Sequence, residues 1–178
     1  MMTYPEELLN KAKKIKLVIT DVDGVLTDGK VHLDQKDNEL KAFNIKDGLG
    51  IKWLLNAAIP VAIITGRASN VVTRRMQELG VTEVYQKQPD KRACFQMLLQ
   101  KYQINCEEVA YLGDDLPDLA LINQCGLGVT VADGHWSLKE SSHWITPNKG
   151  GDGAFRDLAE LILSAQQQLE SILQGYQS

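Results

Sequence analysis

Leu17-Val-Ile-Thr-Asp-Val-Asp-Gly-Val-Leu-Thr-Asp28 is an apolar run that ends abruptly in two aspartates one residue apart, followed by a glycine turn. In an extended backbone residues i and i+2 project to the same side, so Asp21 and Asp23 converge at the end of a buried strand. Charge there is costly unless a metal or a partner compensates it. The pair has the makings of a Mg²⁺ site with an aspartate free to attack phosphorus. Asp and Gly are also ordinary turn residues at strand ends, and a short D-x-D-G alone does not separate the two readings.

Around this stretch the chain has the composition of a soluble globular protein. Its 178 residues, 44% hydrophobic and 24% charged, suit one domain with a real core over 1–178. A net charge of −4 and scattered basic residues argue against nucleic-acid binding. No apolar stretch approaches the ~18 residues of a membrane span, and Met1 to Lys16 lacks a signal-type apolar core. Cys94, Cys106 and Cys125 are odd in number and form no C-x-x-C, which reads as reduced thiols of a cytoplasmic protein. His32, His135 and His143 are scattered and read as structural.

The periodicity alternates between short apolar runs and helical patterns. Strands are expected at Lys16–Thr20, Pro60–Thr65, Glu83–Tyr85, Glu108–Leu112, Leu127–Val131 and His143–Ile145. Helices are expected at Gly48–Ala58, at Ser69–Leu79 with Gly80 as a C-terminal stop, and at Asp90–Tyr102 behind an N-cap aspartate. Two more are expected at Asp115–Gln124 and Phe155–Leu173. Such alternation predicts an α/β fold, a Rossmann-like parallel sheet with helices on both faces. One excursion breaks the rhythm: Lys30–Leu33 and Glu39–Phe43 flank the polar Asp34–Asn38 and read as a β-hairpin after the first strand.

Polar motifs gather at the carboxyl ends of these strands, where open parallel sheets bind ligands. After Asp21 and Asp23 comes Ile64-Thr-Gly-Arg67, whose Thr65 hydroxyl and following N–H groups suit a phosphate oxygen. Lys91 falls in the first turn of a helix, where the macrodipole disfavours it, so another role is expected; Lys87 is an equally placed competitor. The fourth strand ends in Gly113-Asp-Asp115, with Asp118 one turn along. Each motif has an ordinary structural reading. Acid pair, Thr, Lys and acid pair in order at successive strand ends point jointly to phosphoryl transfer.

The motifs D-V-D-G-V-L-T-D, I-T-G-R, Lys91 and G-D-D-L-P-D resemble the haloacid dehalogenase-like (HAD) phosphatase superfamily. Lys41-Ala-Phe-Asn-Ile-Lys-Asp-Gly-Leu-Gly-Ile51 and Gly150-Gly-Asp-Gly-Ala-Phe-Arg156 narrow the resemblance to the 3-deoxy-D-manno-octulosonate 8-phosphate phosphatases of lipopolysaccharide precursor synthesis, over about Lys16 to Ala165. The resemblance implies that Asp21 attacks the phosphate and forms an aspartyl-phosphate, with Asp23 as general acid and base. It implies Mg²⁺ on Asp21, the Asp23 carbonyl and Asp114, with Asp115 and Asp118 orienting that shell, and Thr65 and Lys91 stabilising the transferring phosphoryl group. Asn44, Ile45, Lys46, Asp47, Gly48, Arg67 and Arg75 match positions that contact the sugar-acid phosphate, together with Asp23 and Lys91; Arg74 beside Arg75 could substitute for it, and Arg156 is a weaker candidate. The segment between Asp23 and Thr65 is too short for a cap domain. In the resembled family capless subunits form a homotetramer in which neighbours close each site, and the hairpin at residues 30–43 is the natural assembly element. The alternatives are a phosphatase of another acidic sugar phosphate, a nine-carbon ulosonate 9-phosphate, and a non-catalytic oligomerisation module of the same fold.

Overall fold

A computed structural model describes residues 3–36 and 39–177. Six parallel strands form one sheet in the order β5-β4-β1-β6-β7-β8. They are β1 Leu17–Thr20, β4 Val61–Ile64, β5 Glu83–Tyr85, β6 Val109–Gly113, β7 Leu127–Thr130 and β8 Trp144–Ile145. From β1 the chain first builds outward through β4 and β5, then returns to the other side of β1 with β6, β7 and β8. The carboxyl ends of β1 and β6 therefore flank the topological switch point, where such sheets bind ligands.

The central strands β1, β4, β6 and β7 are buried along their whole length because helices cover both faces. Alternation assigns the faces. Val18, Val61, Ile63, Ala110 and Leu112 pack with α1 Glu6–Ala12, α2 Ile45–Asn56, α3 Asn70–Leu79 and α7 Ala154–Ala165. Leu17, Ile19, Ala62, Ile64, Val109 and Tyr111 pack with α4 Lys91–Tyr102, α5 Leu119–Gln124 and α6 Trp136–Ser141. Gly50 lets α2 lie close on α7: a Cβ there would sit 3.1 Å from the Arg156 Cα.

The expected sheet and its helical layers are present, and several boundaries differ. The helix expected at Phe155–Leu173 is two, α7 and α8 Leu169–Gln174, parted at Gln167 with φ 59°. The Gln166 side chain donates to the Ile15 carbonyl at 2.8 Å, a tertiary bond that periodicity cannot register. The helix expected from Gly48 starts at Ile45, because the Asn44 side chain accepts the Lys46 N–H and caps it. The one expected from Asp115 opens as a 3₁₀ turn, Leu116–Asp118, before α5. α1 and α6, of seven and six residues, lie outside the sequence reading because they are too short for a periodic signal. The hairpin is an antiparallel ribbon of β2 His32–Leu33 and β3 Glu39–Leu40; of its expected turn, Asp37 and Asn38 lie outside the described residues. No helix among the described residues is long and apolar enough to cross a membrane.

Candidate active site

The loop after β1 is folded around one buried hydroxyl. Thr27 Oγ1 accepts the N–H of Gly24 (3.4 Å) and Gly29 (3.3 Å) and donates to the Val22 carbonyl at 3.4 Å. The late glycine segment braces this loop from behind, with the Gly151 N–H donating to the Val25 carbonyl at 2.9 Å. Gly24 has φ +87°, and a Cβ built there would lie 1.9 Å from Asp114 Oδ2. Gly24→Ala is therefore expected to lower kcat by about 10²-fold or more, since a displacement near 1 Å at a reacting centre has that scale. Steady-state kinetics on folded variant checks it; wild-type turnover would show that the contact is dispensable.

Asp21, Asp114 and Asp118 bring one carboxylate oxygen each to within 4.8 Å of one another. Lys91 lies among them with its side chain 2% exposed, its Nζ 2.7 Å from Asp21 Oδ2 and 2.6 Å from Asp118 Oδ1. Burial works to lower the Lys91 ammonium, and Asp118 and Asp21 outweigh it, so it titrates above its ordinary value. Its competitor Lys87 is exposed, in a left-handed turn at φ 59°. Asp118 is saturated: Oδ1 also accepts the Tyr111 hydroxyl (2.6 Å), and Oδ2 accepts the N–H of Asp114 (3.0 Å) and Asp115 (3.3 Å).

Asp114 differs from Asp118 in having no hydrogen-bond donor on its carboxylate among the described residues. Burial, reinforced by Asp118, Asp21 and Asp115, pushes its carboxyl up to about 8. Burial likewise raises Asp21, against the pull of Lys91. Carboxylates this crowded, one of them without a donor, fit a divalent cation bound through oxygen. A cavity of about 330 Å³ opens over the cluster, lined by Asp21, Asp23, Thr65, Arg67, Lys91 and Pro117 among others. Larger clefts of about 460 and 630 Å³ lie elsewhere and contain none of these acids.

Asp23 is held by the expected Arg67 and by Lys41 and Glu39, to which sequence reasoning gave no role. Lys41 forms an ion pair with Asp23 Oδ1 and lies 3.2 Å from Glu39 Oε1. Arg67 closes the circuit, with Nη2 2.6 Å from Glu39 Oε1 and Nε 3.7 Å from Asp23 Oδ2. The signal was the i, i+2 spacing of Glu39 and Lys41, which in extended backbone sets two residues on one side.

Other expected residues do not line this cavity within the subunit. Asn44 caps α2 and donates to the Gly151 carbonyl at 3.3 Å; Ile45 is 81% exposed and Lys46 is exposed in the first turn. Asp47 is buried: Oδ1 accepts the Arg156 N–H at the start of α7 (3.0 Å), and Oδ2 has no hydrogen-bond partner among the described residues. Burial pushes its carboxyl up to about 6. Arg75 lies over Gly48, where a Cβ would meet its Nη2 at 2.5 Å, and Arg74 pairs with Glu78 at 3.2 Å. Arg156 stacks on Trp53 at 3.5 Å, and Asp115 is exposed and caps its own 3₁₀ turn.

A haloacid dehalogenase-like hydrolase model matches residues 70–158. The 3-deoxy-D-manno-octulosonate 8-phosphate phosphatase KdsC of Yersinia pestis is 46% identical over 165 residues, 93% of this chain and 88% of that protein. The chain belongs to the haloacid dehalogenase-like hydrolase family. Like its relatives in that family it is a phosphatase, a phosphoric monoester hydrolase, and its acid cluster is one that could hold a metal ion. The crystal structure of the Y. pestis enzyme superposes with a TM-score of 0.92 at 45% identity, covering 93% of this chain and 89% of that one. The Moraxella catarrhalis 3-deoxy-D-manno-octulosonate 8-phosphate phosphatase, solved with magnesium ion, phosphate ion and a KDO molecule, superposes at 0.95 with 41% identity, over 97% and 99% of the two chains.

Proposed function

We propose that this haloacid dehalogenase-like phosphatase hydrolyses 3-deoxy-D-manno-octulosonate 8-phosphate to the free sugar acid and phosphate, with Mg²⁺ and through an aspartyl-phosphate. The observation that carries the chemistry is Asp21, which lines the cavity with its carboxylate 2.7 Å from Lys91 Nζ and an oxygen within 4.8 Å of one of Asp114. The substrate rests on likeness to the M. catarrhalis structure with its phosphate and KDO. Lipopolysaccharide precursor synthesis follows as the setting, and three free cysteines support a cytoplasmic location.

An Asp21 oxygen attacks phosphorus as the ester P–O bond breaks, and the Asp23 carboxyl gives its proton to the departing sugar oxygen. The Asp23 carboxylate then takes a proton from water as that water attacks the aspartyl-phosphate, freeing Asp21 and phosphate. Thr65 and Lys91 donate hydrogen bonds to the phosphoryl oxygens. Asp21, the Asp23 carbonyl and Asp114 would hold Mg²⁺, which supplies positive charge that draws phosphate and nucleophile together. Asp118, with every acceptor site engaged, positions Lys91 and the backbone at Asp114. Leu33 and Leu40, 63% and 61% exposed on the hairpin, support a homotetramer assembled through that ribbon.

The decisive experiment is phosphate release with Mg²⁺ from a panel containing the eight-carbon 8-phosphate and the nine-carbon 9-phosphate. Preference for the nine-carbon ester would reassign the substrate, and release from none by a folded oligomer would reduce the chain to an assembly module.

Metal linkage is a further expectation. Asp114 titrates at about 8 in the folded state against about 3.9 unfolded. Stability from this group is therefore full below about pH 4 and is lost as pH rises through about 8. In EDTA the melting temperature is expected to fall from pH 6 to pH 8. Mg²⁺ at 100 times its Kd adds about 2.7 kcal/mol, or roughly 5–10 °C for a chain of this size, and one fixed Mg²⁺ concentration adds more at pH 8 than at pH 6, because binding at pH 6 must first remove the Asp114 proton. Melts that ignore Mg²⁺ would remove the cation from the cluster.

A further inference from the structure

We infer that Lys41 is a positioning residue for Asp23, selecting which carboxyl oxygen faces the substrate. The inference rests on the reading of Asp23 as proton donor given above. β3 ends at Leu40, which is 61% exposed, and the residues on either side of it, Glu39 and Lys41, turn to the body of the protein, where they meet Arg67 and Asp23. A lysine beside an exposed ribbon would ordinarily hold its ammonium in water. Here the Lys41 side chain is 1% exposed, a burial that is unfavourable without compensating carboxylates. Two are supplied, Asp23 Oδ1 and Glu39 Oε1, and Glu39 also binds Arg67.

The terminal torsion of an aspartate is broad and roughly two-fold, so a free carboxylate exchanges its oxygens readily. Lys41 occupies Oδ1. Oδ2 is left beside Arg67 Nε at 3.7 Å, beyond hydrogen-bonding distance, on the side of the cavity that Arg67 lines. Oδ2 is then the oxygen that carries the proton to the leaving group. Holding the acid this way matters most when the leaving oxygen needs the proton.

That dependence separates positioning from a purely structural tie. Lys41→Met is compared with wild type on an alkyl ester, 3-deoxy-D-manno-octulosonate 8-phosphate, and on p-nitrophenyl phosphate, whose phenolate leaves without a proton. The comparison uses kcat/KM, which reports steps only up to departure of the leaving group. We expect a loss of roughly 10²-fold on the alkyl ester, the scale of general acid catalysis, and a severalfold smaller loss on the aryl ester. Lys41→Arg, which keeps a cation at Asp23, should restore most of the difference. Should Lys41→Met fail to fold, Glu39→Gln, which loosens the second contact of Lys41, should shift the ratio between the two substrates in the same direction. An equal loss on both substrates, or no loss, in folded variant overturns the inference while the function stands. A wild type that hydrolyses neither ester overturns both.

Discussion

Asp21→Asn is expected to abolish phosphate release, by roughly 10⁴-fold or more, the scale on which loss of a nucleophile acts. The amide keeps the shape of the side chain and loses the charge that attacks phosphorus. The fold should survive, because one of three mutually repelling carboxylates is removed while Lys91 keeps Asp118 at 2.6 Å. The melting temperature in EDTA is therefore expected not to fall, and at pH 8 to rise, since Asp21 is among the charges that hold the Asp114 carboxyl near 8. Phosphate release and melting on one preparation check both halves. Retained turnover would remove Asp21 as nucleophile, and a collapsed fold would show that its bond to Lys91 outweighs the repulsion.

Lys91→Met is expected to fail in both respects. The Met side chain fills the space and leaves Asp118, 1% exposed, with no cation in contact among the described residues. Breaking a buried ion pair from one side costs about 3–5 kcal/mol, a fall of roughly 6–20 °C in melting temperature for a chain of this size. Activity should fall with it, because the ammonium that sits 2.7 Å from Asp21 Oδ2 and would meet the phosphoryl oxygens is lost. Adding Asp118→Asn should recover much of the stability and little of the activity, since it removes the stranded charge without restoring the donor. A melting temperature within 2 °C of wild type, by differential scanning calorimetry, would mean that water reaches the cluster and screens it.

Much of this site could be read along the chain because the relevant physics is local. Val18 and Ile19 are apolar because β1 is covered on both faces, and the acids follow where cover ends and the sheet opens to a ligand. Gly80, at φ 83°, and Asp90, whose side chain accepts the Arg92 N–H, terminate and start helices as their types foretold. The break at Gln167 was unreadable because no proline or glycine marks it. Lys87 and Lys91 could not be told apart by spacing either. One stands in a left-handed turn in solvent, and the other starts α4 and turns inward between Asp21 and Asp118.

The sequence by itself determined the layered α/β plan and the order in which acids, hydroxyl and amine arrive at strand ends. Periodicity and turn chemistry act within a few residues, and both are written in the chain. Tertiary structure alone decided how the charges are shared. It gave Asp118 to Lys91 and the backbone, left the Asp114 carboxylate without a donor among the described residues, turned Asp47 inward to cap α7, and brought Lys41 back across eighteen positions to Asp23. Such partners are chosen by distance and burial once the elements have packed, and charge has no period for a sequence to display.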